Sequence, residues 1–201
     1  MLDRKDGEVL IKFVRSIIKS RLDNVPFSTP EDIKNKYSQK MGAFVTLYTY
    51  PSKMLRGCIG IPRAIYPLYK TLEIAAIGAA FEDPRFLPLR KEEFDKIIVE
   101  ISLLSEPEEI VVDNREDLPK YIKIGRDGLI IKKGLNSGLL LPQVPVEYGW
   151  DVVEFLNHTC IKAGLPPFCW LDPSCKVYKF TAQIFEELRP FGDVVEIKLC
   201  E

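Results

Sequence analysis

The spacing of apolar residues along the chain predicts a mixture of helices and strands. Between Asp6 and Leu22 they recur at intervals of three and four, which is typical of an amphipathic helix. Residues 43–50 are rich in aromatic and β-branched residues, and residues 97–105 alternate in polarity, as strands do. The same patterns predict further helices at 30–37, 66–81, 114–122 and 147–164, strands at 55–61 and 176–188, and a hairpin within 125–144.

Local signals at two of these helices give sharper expectations. Thr29 is predicted to cap the second helix, with Pro30 at its first position and Asp32 reaching back to the cap. The buried side of the helix at 147–164 is predicted to carry Trp150, Val153, Leu156 and Cys160. Because the strands are joined mainly by hairpins with helices interspersed, the fold class expected is α+β with an antiparallel sheet flanked by helices.

Composition narrows the class of protein. A chain of 201 residues that is 46% hydrophobic can bury a large core as one domain. Lys and Arg number 28 against 29 Asp and Glu, so the net charge of −1 disfavours nucleic acid and anionic lipid as general partners. The charged N-terminus lacks an apolar signal core, and no run approaches the ~18 apolar residues of a membrane span. We therefore expect a soluble cytoplasmic protein.

The cysteine and histidine content argues against a metal centre. The five cysteines, an odd number without a CxxC pair, differ from the pattern of a secreted disulfide scaffold. A structural zinc site needs four Cys or His ligands, whereas His158 is the only histidine. We predict no metal and no cofactor. The cysteines are Cys58, Cys160, Cys169, Cys175 and Cys200.

Several stretches together resemble a known family. "GAFVTL", "LRGCIG", "FEDPRFLPL", "IVEISLLSEPEEI", "GLIIKKGLNSGLLLPQV" and "FLNHTCIKAGLP" occur in this order between about Ala43 and Phe185. They resemble the AMMECR domain family, named for the human chromosomal region of Alport syndrome, midface hypoplasia and elliptocytosis. The resemblance implies one domain over residues 1–201 with a larger and a smaller lobe, whose boundaries stay open, and no established activity. It also implies Memo-like or radical-SAM proteins as pathway partners, since related domains are fused to or encoded beside them.

The hexapeptide "LRGCIG" at 55–60 is the main candidate for chemistry. In a regular strand Arg56, Cys58 and Gly60 share one face, so a guanidinium would lie beside a thiol and favour the nucleophilic thiolate. Gly60 would leave room for a ligand above the sulfur. Cys58 and Arg56 are therefore the candidate catalytic residues. A bulge at Gly57 would change which side chains share a face.

A structural interpretation of the hexapeptide is the favoured alternative. Cys58 would then be a small buried apolar residue, and Arg56 would pair with an acid such as Asp83 or Glu100. The glycines would serve close packing against the small residues of "AAIGAA" at 75–80.

Candidate substrate-binding residues lie outside the hexapeptide. Asp83 and Arg85 of "EDPRF" can form a structural ion pair at a turn, or bind an anionic or amide-bearing substrate. Gln143 of "LPQV" can line a pocket or cap a buried backbone group. His158 is interpreted as a surface or helix-packing residue, because only proximity to Cys58 would make it a catalytic base.

Two hypotheses for function follow from these candidates. The first is an enzyme or small-ligand-binding protein with a cleft around the hexapeptide. The alternative is an adaptor module without catalysis that binds protein or nucleic acid, the latter disfavoured by the net charge. Self-association is compatible with both.

Overall fold

The computed structural model of the protein describes residues 2–199. The described α-helices are α1 (Arg4–Leu22), α2 (Glu31–Lys36), α3 (Leu68–Ile77), α4 (Gln143–Tyr148) and α5 (Val152–Lys162). The strands are β1 (Gly42–Thr49), β2 (Leu55–Ile61), β3 (Ile97–Leu104), β4 (Glu108–Glu109), β5 (Asp127–Lys133), β6 (Asn136–Leu140), β7 (Lys176–Glu187) and β8 (Val194–Ile197). Every described helix is too short or too polar to cross a membrane.

The chain forms two compact units. The first contains the residues up to Leu104 together with Gln183–Ile197, and the second is built on Ser105–Ala182. Strand β7 contributes to both, because its residues 183–187 belong to the first unit and 176–182 to the second. Helices and antiparallel strands occur in each unit, so the predicted α+β class with an antiparallel sheet is confirmed.

The first unit packs helices α1 and α3 on one face of an antiparallel sheet. Its strands lie in the order β2, β1, β3, β7, with β8 paired to β7. Alternate residues of β1 and β3, among them Val45 and Val99, enter a large apolar core with the apolar stripe of α1. The opposite face of β3 carries Glu100 and Ser102, which are nevertheless buried. The alternation predicted for β3 is confirmed, although both of its faces are covered.

The second unit has its own smaller core around α5. Strand β5 lies between β6 and β7, and β4 pairs with β7 on its other side. Phe155 and Leu156 of α5 pack with Leu129, Ile131 and Val177 from the strands.

The helix predicted over 147–164 is two helices, α4 and α5. Gly149 adopts the left-handed conformation at φ 67° and ends α4. The side chain of Asp151 then caps α5. Within α5 the buried residues are Phe155, Leu156, Thr159 and Cys160, so Val153 in the first turn lies at the edge of the buried stripe and is exposed, and the prediction that Val153 is buried was wrong.

Two other helix boundaries differ from expectation. Thr29 does not cap α2; Pro30 occupies the cap position without a side-chain bond, and the Thr29 hydroxyl donates to Glu73. The helix predicted over 66–81 is α-helical only to Ile77 and continues as a π-helical turn over Gly78–Glu82.

The second unit contains a disulfide that the cysteine pattern did not indicate. Cys160 of α5 is bonded to Cys169, which begins a short 3-10 turn. Among the described cysteines, Cys58 and Cys175 are free thiols, whereas Cys200 lies outside the described residues.

Candidate functional site

The hexapeptide 55–60 forms most of β2, where it pairs with β1. Cys58 lies opposite Thr46, and on the other side of β1 Thr46 lies opposite Glu100 of β3. The pairing shifts between Leu47 and Tyr48, so the irregularity falls at Arg56. The register from Gly57 onward is regular, and Cys58 therefore projects from the sheet face opposite the helices.

Glycine at position 57 serves the close packing of β2 on the segment after α3. A Cβ atom at Gly57 would come closer than 3.0 Å to the carbonyl oxygen of Ala79. On the opposing segment, a Cβ atom at Gly78 would lie 2.6 Å from Cγ2 of Ile59. The hexapeptide therefore packs against "AAIGAA", as the structural interpretation predicted.

The ligand interpretation predicted that Gly60 leaves space above the sulfur, and the structure does not show this space. A Cβ atom there would collide with the ring of Phe44, which lies opposite Gly60 on β1. The absence of a side chain at Gly60 accommodates an aromatic ring of the same sheet.

Asp83 joins the hexapeptide to the loop that follows the π-helical turn. Its Oδ2 accepts the backbone N–H of Cys58 at 2.9 Å. The Arg85 guanidinium donates to both carboxylate oxygens, at 2.9 Å from Nε and 2.7 Å from Nη2, and Nη2 also reaches the Cys58 carbonyl at 3.3 Å. We call Asp83, Arg85 and the backbone of Cys58 the Asp83 clamp. Two of the predicted substrate-binding residues thus lie directly beside the predicted catalytic cysteine.

The electrostatics of the Asp83 clamp follow from its burial. The Asp83 side chain is only 2% exposed, whereas that of Arg85 is 53% exposed. The hydrogen bonds from Arg85 are the largest cause of a pKa for Asp83 well below its usual range, and the Cys58 N–H adds to them. Asp83 is therefore ionised at neutral pH and holds the guanidinium in one orientation.

Arg56 is paired, but with an acid that the sequence did not suggest. Its Nε and Nη2 donate to the two carboxylate oxygens of Glu93 at 2.9 and 3.1 Å, rather than to Asp83 or Glu100. This pairing lowers the pKa of Glu93. The arginine whose charge lowers the pKa of the Cys58 thiol is Arg85. The effect predicted for Arg56 therefore comes from Arg85.

The thiol of Cys58 is protonated at neutral pH. Burial raises its pKa, and Glu100 and Asp83 add to the effect, against the opposing influence of the Thr46 hydroxyl and Arg85. The Thr46 hydroxyl lies 3.4 Å from the sulfur and donates to it. Cys58 as a residue is partly exposed, although burial is the main influence on its thiol.

A buried carboxylate on the same sheet face was missed in the sequence. Glu186 of β7 faces away from the helices, because its neighbour Phe185 enters the apolar core. Its Oε1 accepts from Lys53 at 2.9 Å, while its buried Oε2 has no hydrogen-bond partner among the described residues. Only the alternation of β7 could have located this side chain, and nothing in the sequence identified its partner.

The remaining candidates lie in the second unit. Gln143 is the first residue of α4. The His158 ring stacks on Trp150 at 3.8 Å between ring centroids, and Trp150 stacks in turn on Tyr148. This is the helix-packing role that was preferred for His158. Within residues 2–199 no three His, Cys, Asp or Glu side chains are grouped so as to hold a metal ion.

Comparison with known proteins gives close relatives over nearly the whole chain. The family model AMMECR1 matches residues 11–185. A protein of Aquifex aeolicus (strain VF5) is 52% identical over 194 residues, which covers 96% of this chain and 99% of the relative. Protein MJ0810 of Methanocaldococcus jannaschii is 52% identical over 99% of this chain and 98% of its own. The crystal structure of the uncharacterized protein PH0010 from Pyrococcus horikoshii, 50% identical, matches with a TM-score of 0.93 over 98% of each chain.

Proposed function

The chain belongs to the AMMECR1 family, and from that premise we propose that it binds a small anionic molecule at the Asp83 clamp. The relatives named above are described without an activity, so the site itself has to supply the argument. The observation that carries the proposal is the orientation of Arg85, a half-exposed cation held by a buried carboxylate.

Arg85 retains donors for a ligand. A guanidinium has five N–H groups, and the contacts with Asp83 and the Cys58 carbonyl use only those on Nε and Nη2. No contact among the described residues engages Nη1. A carboxylate or phosphate oxygen can therefore bind Nη1 without breaking the clamp, and the fixed orientation lowers the entropy lost on binding.

A second arginine extends the same surface. The guanidinium carbons of Arg56 and Arg85 lie 5.9 and 5.5 Å from the centre of the Phe86 ring. The charge of each arginine is already balanced by a carboxylate, because Arg56 pairs with Glu93 and Arg85 with Asp83. The surface thus offers directed hydrogen-bond donors beside an aromatic ring, which suits recognition of a planar or carboxylate-bearing molecule more than a simple charge excess would.

Cys58 is proposed to contact the bound molecule as a neutral thiol. A nucleophilic role would require its proton to be removed, and Glu100 lies one strand beyond Thr46 on the same face. Catalysis by Cys58 and Arg56 therefore stays a prediction. So do the cytoplasmic location, self-association and the Memo-like or radical-SAM partners. We infer that the two units are the lobes of the single domain expected over residues 1–201.

Ligand-induced stabilisation tests the proposal. The melting temperature is measured with inorganic phosphate, a nucleoside monophosphate and succinate, for the wild type, Arg85→Gln and the exposed-arginine control Arg63→Gln. We expect at least one anion to raise the melting temperature of the wild type and of Arg63→Gln but not of Arg85→Gln, since stabilisation follows occupancy of the native state. An equal shift in Arg85→Gln contradicts the proposal.

Alkylation of Cys58 gives an independent measurement. Cys58 lies alone on the tryptic peptide 57–63, so N-ethylmaleimide labelling at this position is read by mass spectrometry. The anion that stabilises the protein should slow labelling of Cys58 in the folded protein. It should leave labelling of Cys58 in the unfolded protein, measured as a control, unchanged. If no small anion stabilises the protein or protects the thiol, the adaptor hypothesis replaces ligand binding.

A further inference from the structure

Three buried cysteines of the second unit are grouped around Cys169, which contacts the other two. Cys160 and Cys169 form the disulfide, and the sulfur of Cys175 lies 3.6 Å from that of Cys169. Their exposed fractions are 0%, 7% and 0%. We propose that Cys160, Cys169 and Cys175 form an intramolecular thiol–disulfide exchange site, in which Cys169 bonds either to Cys160 or to Cys175.

The proposal rests on how the chain delivers the third sulfur. Arg115 donates to the carbonyls of Trp170 and Cys175, at 2.6 Å to each from Nη2. These two bonds hold the segment after Cys169 and the segment before β7 against one side chain. Hydrogen bonds that do not involve the sulfur atoms therefore keep the free thiol of Cys175 beside the disulfide.

The burial of Cys175 favours exchange at alkaline pH. Burial raises the pKa of the Cys175 thiol, with Arg115 and Lys133 acting in the opposite direction and Asp172 adding to the increase. Lys133 is itself paired with Asp172 at 2.6 Å. Because the attacking species is the thiolate, the exchange rate should rise as the pH approaches the pKa of Cys175.

The exchange is balanced without an external oxidant. The Cys175 thiol loses its proton to solvent, and the thiolate attacks the sulfur of Cys169. The Cys169–Cys175 bond forms as the Cys160–Cys169 bond breaks, and Cys160 leaves as a thiolate that takes up a proton. One disulfide and one thiol are present before and after the step.

The two pairings tie different elements together. The Cys160–Cys169 bond attaches the 3-10 turn Cys169–Leu171 to the last turns of α5. The Cys169–Cys175 bond attaches the same turn to the start of β7 and leaves α5 without a covalent link to it. Exchange would therefore change how firmly α5 is held.

Trypsin separates the two pairings cleanly. Cys160 lies on the tryptic peptide 134–162, whereas Cys169 and Cys175 both lie on peptide 163–176. The Cys160–Cys169 bond links two peptides, and the Cys169–Cys175 bond closes a ring within one. Wild-type protein is incubated at pH 9, quenched in acid, unfolded, labelled with N-ethylmaleimide and then digested.

The labelled thiol reports the outcome. We expect label on both Cys175 and Cys160 after incubation at pH 9, and a ring within peptide 163–176 when Cys160→Ser is oxidised in a glutathione buffer. Cys175→Ser serves as the control and should give only the linked peptides. Label confined to Cys175 in the wild type, or a folded Cys160→Ser with both remaining thiols free, overturns the proposal. If Cys160→Ser does not fold, the wild-type label decides alone.

Discussion

Replacing Gly57 by alanine should destabilise the protein far more than the same change at Gly78, its counterpart across the interface. The new methyl group at position 57 would lie closer than 3.0 Å to the backbone oxygen of Ala79, within the π-helical turn Gly78–Glu82. At position 78 the nearest atoms, Cγ2 and Cβ at 2.6 and 3.0 Å, belong to the side chain of Ile59 and not to backbone.

The expected magnitudes follow from what has to move. Overpacking of a core costs about 1–3 kcal/mol, and relief at position 57 requires displacement of backbone, so we expect a loss of about 3 kcal/mol. For a chain of this size, that loss lowers the melting temperature by roughly 6–12 °C. At position 78 the strain is offset by the higher helix propensity of alanine, worth about 1 kcal/mol, so the net change should stay within about 1 kcal/mol.

Urea denaturation followed by circular dichroism measures both variants against the wild type. Equal m-values in the three proteins would confirm that the denaturation midpoints report stability rather than a changed unfolded state. If Gly57→Ala loses less than about 1 kcal/mol, or no more than Gly78→Ala does, close backbone packing is not the reason for glycine in the hexapeptide.

Two further changes test the ion pairs of the first unit. Asp83→Asn should lower the free energy of unfolding by about 2 kcal/mol at pH 7, a value moderated by the exposure of Arg85. Because the pKa of Asp83 is lowered in the folded state, the stabilisation by its carboxylate is lost as the pH falls below about 4. The gap between wild type and Asp83→Asn in urea denaturation should therefore narrow at pH 3, and a constant gap would refute this assignment. Glu187→Gln should cost about 3 kcal/mol, because it leaves the guanidinium of Arg15 buried without its carboxylate. The double variant Arg15→Met/Glu187→Met should recover part of that loss in the same assay, and a double variant less stable than Glu187→Gln would count against it.

Much of the architecture could be predicted from the sequence because it depends on local pattern. The alternation over 97–105 correctly assigned the core face of β3, and the small residues at 75–80 correctly indicated the partner of Gly57. The break between α4 and α5 also had local signals, Gly149 and Asp151, that periodicity alone concealed.

The site was less predictable because its partners are distant in sequence. A pair of Asp83 with Arg85 was one of two pairings predicted for that aspartate, because an aspartate before proline has local turn chemistry. Glu93 could not be chosen as the partner of Arg56, because 37 residues separate them and several acids were equally available. The Cys160–Cys169 bond was missed for a different reason: its cysteines are only 9 residues apart, but an odd number of cysteines without a CxxC pair does not indicate a disulfide, and the pairing depends on how the loop after α5 returns.

The division of β7 between the units has a consequence for the order in which a nascent chain can fold. Arg15 lies 172 residues before Glu187, the acid that neutralises it, and Phe185 completes the core around α1. At a translation rate of roughly 5–20 residues per second, the ribosome needs about 10–30 s to deliver that strand after α1 emerges. Residues Ser105–Ala182 of the second unit are synthesised within this interval. The native surroundings of α1 are therefore completed late: α3 and β3 can cover its apolar face earlier, but Arg15 lacks its carboxylate and Phe185 is missing from the core until β7 is synthesised.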